Sequence, residues 1–389
     1  MRIFLAIPFS PHPGFSSNLW KANLHDSLVA MGHDVVLWKE DLLPLYDLDP
    51  DAPGTVPVRD AFGGRFVAAV ENAHRQRPLD LVLTYFSDSH VLPSVVDTVR
   101  ERVPVLNFFC NNVHQFHLVR RIAPRFSFCL VPEREALASY RAAGARPVFF
   151  PMAANPAVYR PLGLPQTLDV AFAGQRYADR ARGLLALREG GIDAHAFGMG
   201  WPFARPGEPT PPGVQGSGLG PIGEAARLLA AALRGRNPFL AVRDRLAWRT
   251  LCARHPASLH GPVADDEYVA LFSRSRISLG FLLVGDTHRT RRPLRQVRLR
   301  EFEGPMAGAF YVTEWFEELA EHYEIGREIV CYRSHEELVD LCRYYLAHPD
   351  ERERIRRSGH ERARRDHTWQ RRFENLFESL RREGVPSRP

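Results

Sequence analysis

The sequence predicts an α/β protein made of two doubly wound parallel-sheet domains, and three observations carry that reading. Its 389 residues suffice for two or three domains of ~100–200 residues each. From residue 1 to about 160, short β-rich runs alternate with stretches of helical period, as in βα units on a parallel sheet. The runs are continuously apolar, as expected of strands covered on both faces by helices.

The predicted strands of the first domain, residues 1–160, are Ile3–Ile7, Val35–Trp38, Leu79–Thr84, Val105–Phe109, Phe126–Val131 and Val148–Phe150. Between the first two lies a helix with Trp20, Leu24, Leu28 and Met31 on one face. Ser16 or Ser17 caps its start, and Gly32 supplies the left-handed residue that ends it. A stretch marked by Pro151, Pro156, Pro161, Gly163 and Pro165 reads as an interdomain crossing. The second α/β domain, 161–365, opens with strand Leu168–Ala173, helix Ala178–Glu189 and strand Ala194–Phe197. Residues 203–256 break the rhythm and read as an irregular or helical insertion. Order resumes near Leu259 with a helix over Asp265–Arg274, strand Ile277–Leu283, an arginine-rich loop over Asp286–Arg298 and a helix through Phe302. Strands Phe310–Thr313 and Ile329–Tyr332 follow, the latter leading into a capping box, Ser334-His-Glu-Glu337. Arginine-rich helices finish the chain, and the last, within 366–389, is expected to pack back across the first domain.

Composition excludes several classes. Hydrophobic residues at 45% and charged residues at 25% are the balance of a chain that buries cores, against disorder or a fibrous repeat. All basic residues except Lys21 and Lys39 are arginines, so the net charge of +6 is carried by planar forks suited to phosphate. Five widely spaced cysteines suggest neither a disulfide framework nor a zinc motif. The apolar start breaks at Pro8, too short for a signal-peptide core or a membrane span, so a soluble cytoplasmic protein is expected. No Gly-Lys-Ser/Thr loop is present, which argues against a nucleoside triphosphatase. Asp47-Leu-Asp49-Pro-Asp51 imitates a metal-binding Asp-x-Asp motif but sits among prolines, so it reads as a solvated acidic loop. No metal site is expected. His114 and His117 have helical spacing but no fixed third ligand.

Two such lobes meeting at the carboxyl ends of their sheets would form a cleft where helix N-termini face anionic ligands. In the second half, the strings Leu299-Arg-Glu-Phe-Glu303, Gly304-Pro-Met-Ala-Gly308-Ala-Phe, Tyr332-Arg-Ser-His-Glu-Glu-Leu338, Tyr344-Tyr-Leu-Ala-His-Pro349 and His367-Thr368 with Arg371 occur in order. In that order and spacing, over residues 259–380, the chain resembles the GT-B glycosyltransferases, and within them the CgeB-like group. The first half matches in architecture and in Phe150-Pro-Met-Ala-Ala-Asn-Pro156 before Tyr159. The resemblance implies transfer of a sugar from a nucleotide-diphosphate donor, a co-substrate, to an acceptor hydroxyl, with neither metal nor other cofactor. Residues 1–160 would hold acceptor and 161–365 donor.

For the donor, the resemblance places Glu303 at the carboxylate that holds the ribose. Arg300 takes the arginine of the Arg-x-Phe-Glu string, Arg180 the arginine six residues after Gly174, and Arg276 a basic position before a strand. Gly174 and Gly308 stand where backbone could approach phosphate without a Cβ in the way. The E-x7-E pattern is incomplete, because eight residues before Glu303 stands Arg295. On the acceptor side, loops after strands carry His12, Asp88, His90, Asn111, Asn112 and His114. His12 and His114 are the candidate bases, since each closely follows a strand. Two other readings stay open. One is an idle GT-B scaffold partnering another transferase, favoured by the missing upstream acid. The other is a nucleic-acid-binding or base-modifying protein using the arginines from Arg352 to Arg382, among which Glu353, Glu361 and Asp366 are interleaved.

Overall fold

The structure is a computed structural model that describes residues 1–8, 18–202, 232–233 and 235–384. Two compact units divide the chain: Met1–Asn155 together with His367–Pro389, and Pro156–Asp366.

The first unit is a parallel sheet of β1 (Arg2–Ala6), β2 (Asp34–Leu37), β3 (Leu81–Thr84), β4 (Val105–Phe108), β5 (Phe128–Val131) and β6 (Pro147–Phe149), in the order β2-β1-β3-β4-β5-β6. Every residue of the interior strands β3, β4 and β5 is buried, which is why those runs lack polar alternation. The predicted first helix forms with a difference. Lys21–His25 is a π-helical turn that continues as an α-helix over Asp26–Ala30, and Gly32 closes it at φ +83°. Leu24 and Leu28 are buried, whereas Trp20 and Met31 are only partly covered. The expected caps Ser16 and Ser17 lie outside the described residues.

The second unit repeats the plan with β7 (Leu168–Ala173), β8 (Ala194–Phe197), β9 (Leu259–His260), β10 (Ser275–Leu279), β11 (Tyr311–Glu314) and β12 (Val330–Tyr332). All pair in parallel in the order β12-β11-β10-β7-β8-β9. Described helices of seven or more residues are numbered α1 (Val56–Gln76), α2 (Pro93–Arg100), α3 (Arg180–Glu189), α4 (Pro238–Arg254), α5 (Asp265–Arg274), α6 (Arg300–Met306), α7 (His335–Ala347), α8 (Pro349–Asp366) and α9 (Trp369–Arg382).

Within the stretch expected to be an irregular or helical insertion, α4 is a regular helix. Asn237 caps α4, its Oδ1 accepting from the Phe239 amide at 3.0 Å, while Ala247 and Leu251 enter the core. Arginines all round the helix blur its period in the sequence. Residues 203–231 lie outside the described residues. The capping box also differs in one arm. Ser334 Oγ accepts from the Glu337 amide at 3.2 Å, but the Glu337 carboxylate takes the Arg333 amide, at 2.6 Å, rather than that of Ser334.

The last helix, α9, belongs to the first unit. Trp369 is fully buried with its ring 5.7 Å from Phe150 and 6.1 Å from Phe108, and the Phe373 ring lies tilted 5.4 Å from Phe150. Ala154 and Thr368 form a parallel bridge, and the Arg372 guanidinium donates to the Met152 carbonyl at 3.2 Å.

Candidate functional site

In open parallel sheets, ligands settle at the carboxyl ends of the strands where the strand order reverses. In the second unit that point lies between β7 and β10. Gly174 follows β7 and Gly280 follows β10. Both loops lead to helices whose first residue is an arginine: Arg180 opens α3 and Arg300 opens α6. The two guanidiniums share one aromatic platform, each with its central carbon 5.1 Å from the Phe172 ring centroid. A Cβ on Gly174 would lie 2.6 Å from Arg300 Nη2 and 2.7 Å from the Phe172 ring, so only glycine leaves this arginine its place.

The arginines differ in freedom. Arg180 is committed to the protein, donating to the Gln175 carbonyl and the Tyr177 hydroxyl at 2.7 Å each. Burial, with Arg300 and Arg298 nearby, pushes it down to about 9. In Arg300, by contrast, Nε and Nη1 are buried with no hydrogen-bond partner. Burial alone would lower its pKa, but Tyr268, Tyr311, Glu301 and Tyr177 outweigh that, and the guanidinium is held above its ordinary value. A buried donor without an acceptor costs ~1–3 kcal/mol, more when charged, and an anionic ligand would recover that cost.

Both carboxylates of α6 are buried. Glu301 accepts from the Arg298 amide at 2.9 Å and the Tyr311 hydroxyl at 3.1 Å. Glu303 lies one helical turn inside, where the Tyr268 hydroxyl donates to Oε2 at 2.8 Å, and it is 2% exposed. The carboxylate that the resemblance places at the ribose is thus covered in the free protein: α5 brings Tyr268 over it, a tertiary contact with no local signature. Oε1 of Glu303 has no hydrogen-bond partner. Burial raises both carboxyls above the usual range, only partly offset at Glu303 by the Tyr268 and Tyr159 hydroxyls and Arg300.

Beside this cluster a surface pocket is lined by Arg176 and Tyr177 from the loop after β7, Arg245 and Trp248 from α4, and Asp286 and Arg289 from the loop after β10. Arg176 stacks over Trp248 at 4.2 Å. Asp244 organises the wall, accepting from Arg182 Nε at 2.7 Å, His288 Nε2 at 2.7 Å and Arg289 Nε at 2.8 Å. Burial would raise its carboxyl, but His288, Arg289 and Arg182 hold it below the usual range. None of these residues was expected from the sequence. Arg176, two residues beyond the end-of-strand Gly174, was the one local signal; Asp244 and Trp248 lay in the unplaced insertion. Arg295, standing where the E-x7-E pattern has an acid, pairs with Glu314 at the end of β11 at 2.8 Å.

Two donor-side expectations are overturned by position. Arg276 is the second residue of β10, hence at the amino edge of the sheet, and pairs with Asp169. Gly308 follows the end of α6 at φ +73°, where its carbonyl accepts from Arg356 Nη1 at 2.9 Å. It terminates a helix at the same wrong edge and cradles no phosphate there.

In the first unit, three acceptor-side candidates are structural. Asp88 accepts the Ile122 and Arg121 amides at 3.0 and 3.2 Å. His90 is fully buried between Ser87 Oγ at 2.7 Å and the Leu42 carbonyl at 3.2 Å, and burial pushes it down to about 4, so it is neutral. Asn112 receives the Tyr140 hydroxyl and donates to the Phe109 carbonyl at 2.6 Å. Asn111, in the left-handed region at φ +61°, is half-buried, and His114 is exposed. His12 lies outside the described residues. A carboxylate the sequence did not signal, Glu133, accepts the Asn112 and Val113 amides at 3.0 and 2.6 Å. In the acidic loop, Asp51 is held by both terminal nitrogens of Arg121 at 2.6 and 2.7 Å. Among the described residues no cluster of three or more His, Cys, Asp or Glu could hold a metal ion, and no helix is long and apolar enough to cross a membrane.

No curated protein matches the sequence. Residues 222–378 match a family model described as glycosyl transferase-like. The structure resembles the sucrose-phosphate synthase of Thermosynechococcus elongatus at 14% identity and TM-score 0.56, covering 99% of this chain and 100% of that one. It also resembles Anabaena HepE in complex with UDP and glucose, at 13% identity and TM-score 0.54, covering 98% and 99%. A third likeness is AviGT4, a glycosyltransferase of avilamycin A biosynthesis, at 17% identity and TM-score 0.56, covering 99% and 98%. The fold is GT-B, and the stretch 222–378, which contains α6 and the carboxyl ends of β10 to β12, is glycosyl transferase-like.

Proposed function

We propose that the protein is a glycosyltransferase that moves a sugar from a nucleotide diphosphate to an acceptor hydroxyl, with its donor held by the second unit. Within the fold we group it with the CgeB-like proteins, on the strings that run from Leu299 to Arg371. The observation that carries the function is the pair of buried, unpartnered guanidinium nitrogens of Arg300, Nε and Nη1, at the point where strand order reverses. A leaving diphosphate is the ligand such a group fits.

In the reaction, the bond from the anomeric carbon to the diphosphate oxygen breaks and its electron pair departs with the phosphate. The acceptor oxygen bonds to that carbon, and its proton passes to a base or to the departing phosphate. Arg300, with Arg176 and Arg298 in the adjoining loops, stabilises the growing negative charge, so that protein cations do what a metal does elsewhere. The Glu303 carboxyl accepts from a ribose hydroxyl once Tyr268 yields. His114, and His12, which follows β1 in the sequence, are the proposed bases, with Asn111 beside the acceptor. HepE's complex with UDP makes uridine diphosphate sugars the first donors to try. Turnover of a sugar nucleotide, alone or with simple acceptors, is the expected result. Nucleotide binding without hydrolysis or transfer across a donor panel, together with a stable complex with another transferase, would instead establish an idle scaffold.

Glu303→Gln separates the two roles of that residue. Burial raises the folded carboxyl above its unfolded value of ~4.3, so the wild type loses stability as pH rises from there through the folded value. The amide carries no such penalty. The variant should melt higher than wild type at pH 7.5, equal it near pH 4, and bind donor more weakly. Equal melting curves at both pH values would refute the buried-carboxylate reading.

A further inference from the structure

The outward face of α4 carries an apolar ridge. Phe239, Leu246 and Val242 are 77%, 56% and 37% exposed, and their i, i+3, i+7 spacing places them in one sector of the helix. The opposite sector holds Asp244, Ala247 and Leu251, all buried. Leu233, just before the helix, is 81% exposed. Exposed arginines edge the ridge: Arg249 on one flank, Arg243 on the other and Arg236 at its start. The Asn237 amide bonds the Arg289 carbonyl at 2.6 Å, which brings the loop with exposed Arg291 and Arg292 alongside. The helix has one acidic residue, Asp244, and it faces inward. Glu189 pairs with Arg254 at 3.9 Å, and Glu336 lies near Arg243 on one flank of the ridge.

A convex apolar ridge with cations on both flanks and no carboxylate of its own matches a flat surface that is negatively charged and apolar beneath. We infer that this face of α4 docks on an anionic lipid bilayer, with Phe239 and Leu246 entering the acyl boundary and the flanking arginines meeting lipid phosphates. The glycosyltransferase would then work at a membrane surface without crossing it.

Cosedimentation of the full chain with vesicles of phosphatidylglycerol and phosphatidylcholine, against phosphatidylcholine alone, tests this. Binding should require the anionic lipid and weaken with salt. Phe239→Glu with Leu246→Glu should lower the partition coefficient at least about tenfold, and each of Arg236→Gln and Arg249→Gln about fivefold. No binding, equal binding to neutral vesicles, or binding that survives the glutamates would overturn the inference. A glutamate variant that melts several degrees lower, or that dissolves a dimer of the wild type, would show that protein covers this face and would also overturn it. Because donor turnover is assayed without lipid, loss of vesicle binding leaves the functional reading intact.

Discussion

Arg300→Ala should weaken nucleoside diphosphate binding by two to three orders of magnitude and lower turnover with it. Two of its nitrogens are buried and unpartnered in the free protein, so a bound diphosphate gains charge-assisted hydrogen bonds without breaking any made by those atoms. Each such bond is worth ~1.5–3 kcal/mol, and the pair together about 3–4 kcal/mol, a factor of about 150–900. Turnover falls too, because charge on the diphosphate grows as the glycosidic bond opens. Arg300→Lys keeps the charge but loses the planar fork and the stacking on Phe172, so it should recover only part of the affinity. Titration calorimetry with UDP measures both variants. Affinity within threefold of wild type for Arg300→Ala would remove this arginine, and the donor site built on it, from the account.

The largest structural effect is expected at Trp369→Ala, which should cost about 3–5 kcal/mol of the first unit's stability. Its ring is wholly buried between Phe108 of β4 and Phe150, just after β6, and it opens the only long helix that the end of the chain contributes to this unit among the described residues. Without it, a cavity opens under α9 and Phe373 loses a neighbour. The fall should be visible as a shifted urea midpoint, and Trp369→Phe should be milder because a ring remains. A loss below about 1 kcal/mol would mean that α9 does not pack there as described.

Most of this fold is legible in the residues. Leu168–Ala173, Ala194–Phe197 and Asp265–Arg274 form elements with the expected bounds, because buried strands and an amphipathic helix with acids in its first turn leave strong local patterns. The site is less legible, since spacing along a chain does not say which edge of a sheet a residue reaches. Arg276 and Leu279 are three residues apart in one strand yet sit ~10 Å apart towards opposite edges. Gly308 looked like a phosphate glycine until the helix before it was seen to end there. His90 stands in a polar run, Ser87-Asp-Ser-His90, that reads as an exposed loop but turns inward to be hydrogen-bonded. Tyr268 covers Glu303 through a contact between helices 35 residues apart, for which no sequence signal exists. Arg300, inside its own motif, needed no tertiary information.

The pairing of Ala154 with Thr368 has a consequence for biosynthesis. The chain leaves and re-enters the first unit at neighbouring points, so the second is topologically a guest inside its host. During translation the guest has fully emerged before the host receives Trp369 and the rest of its closing helix. The half begun first is therefore finished last, and until then its aromatic floor stays open to chaperones or to premature association.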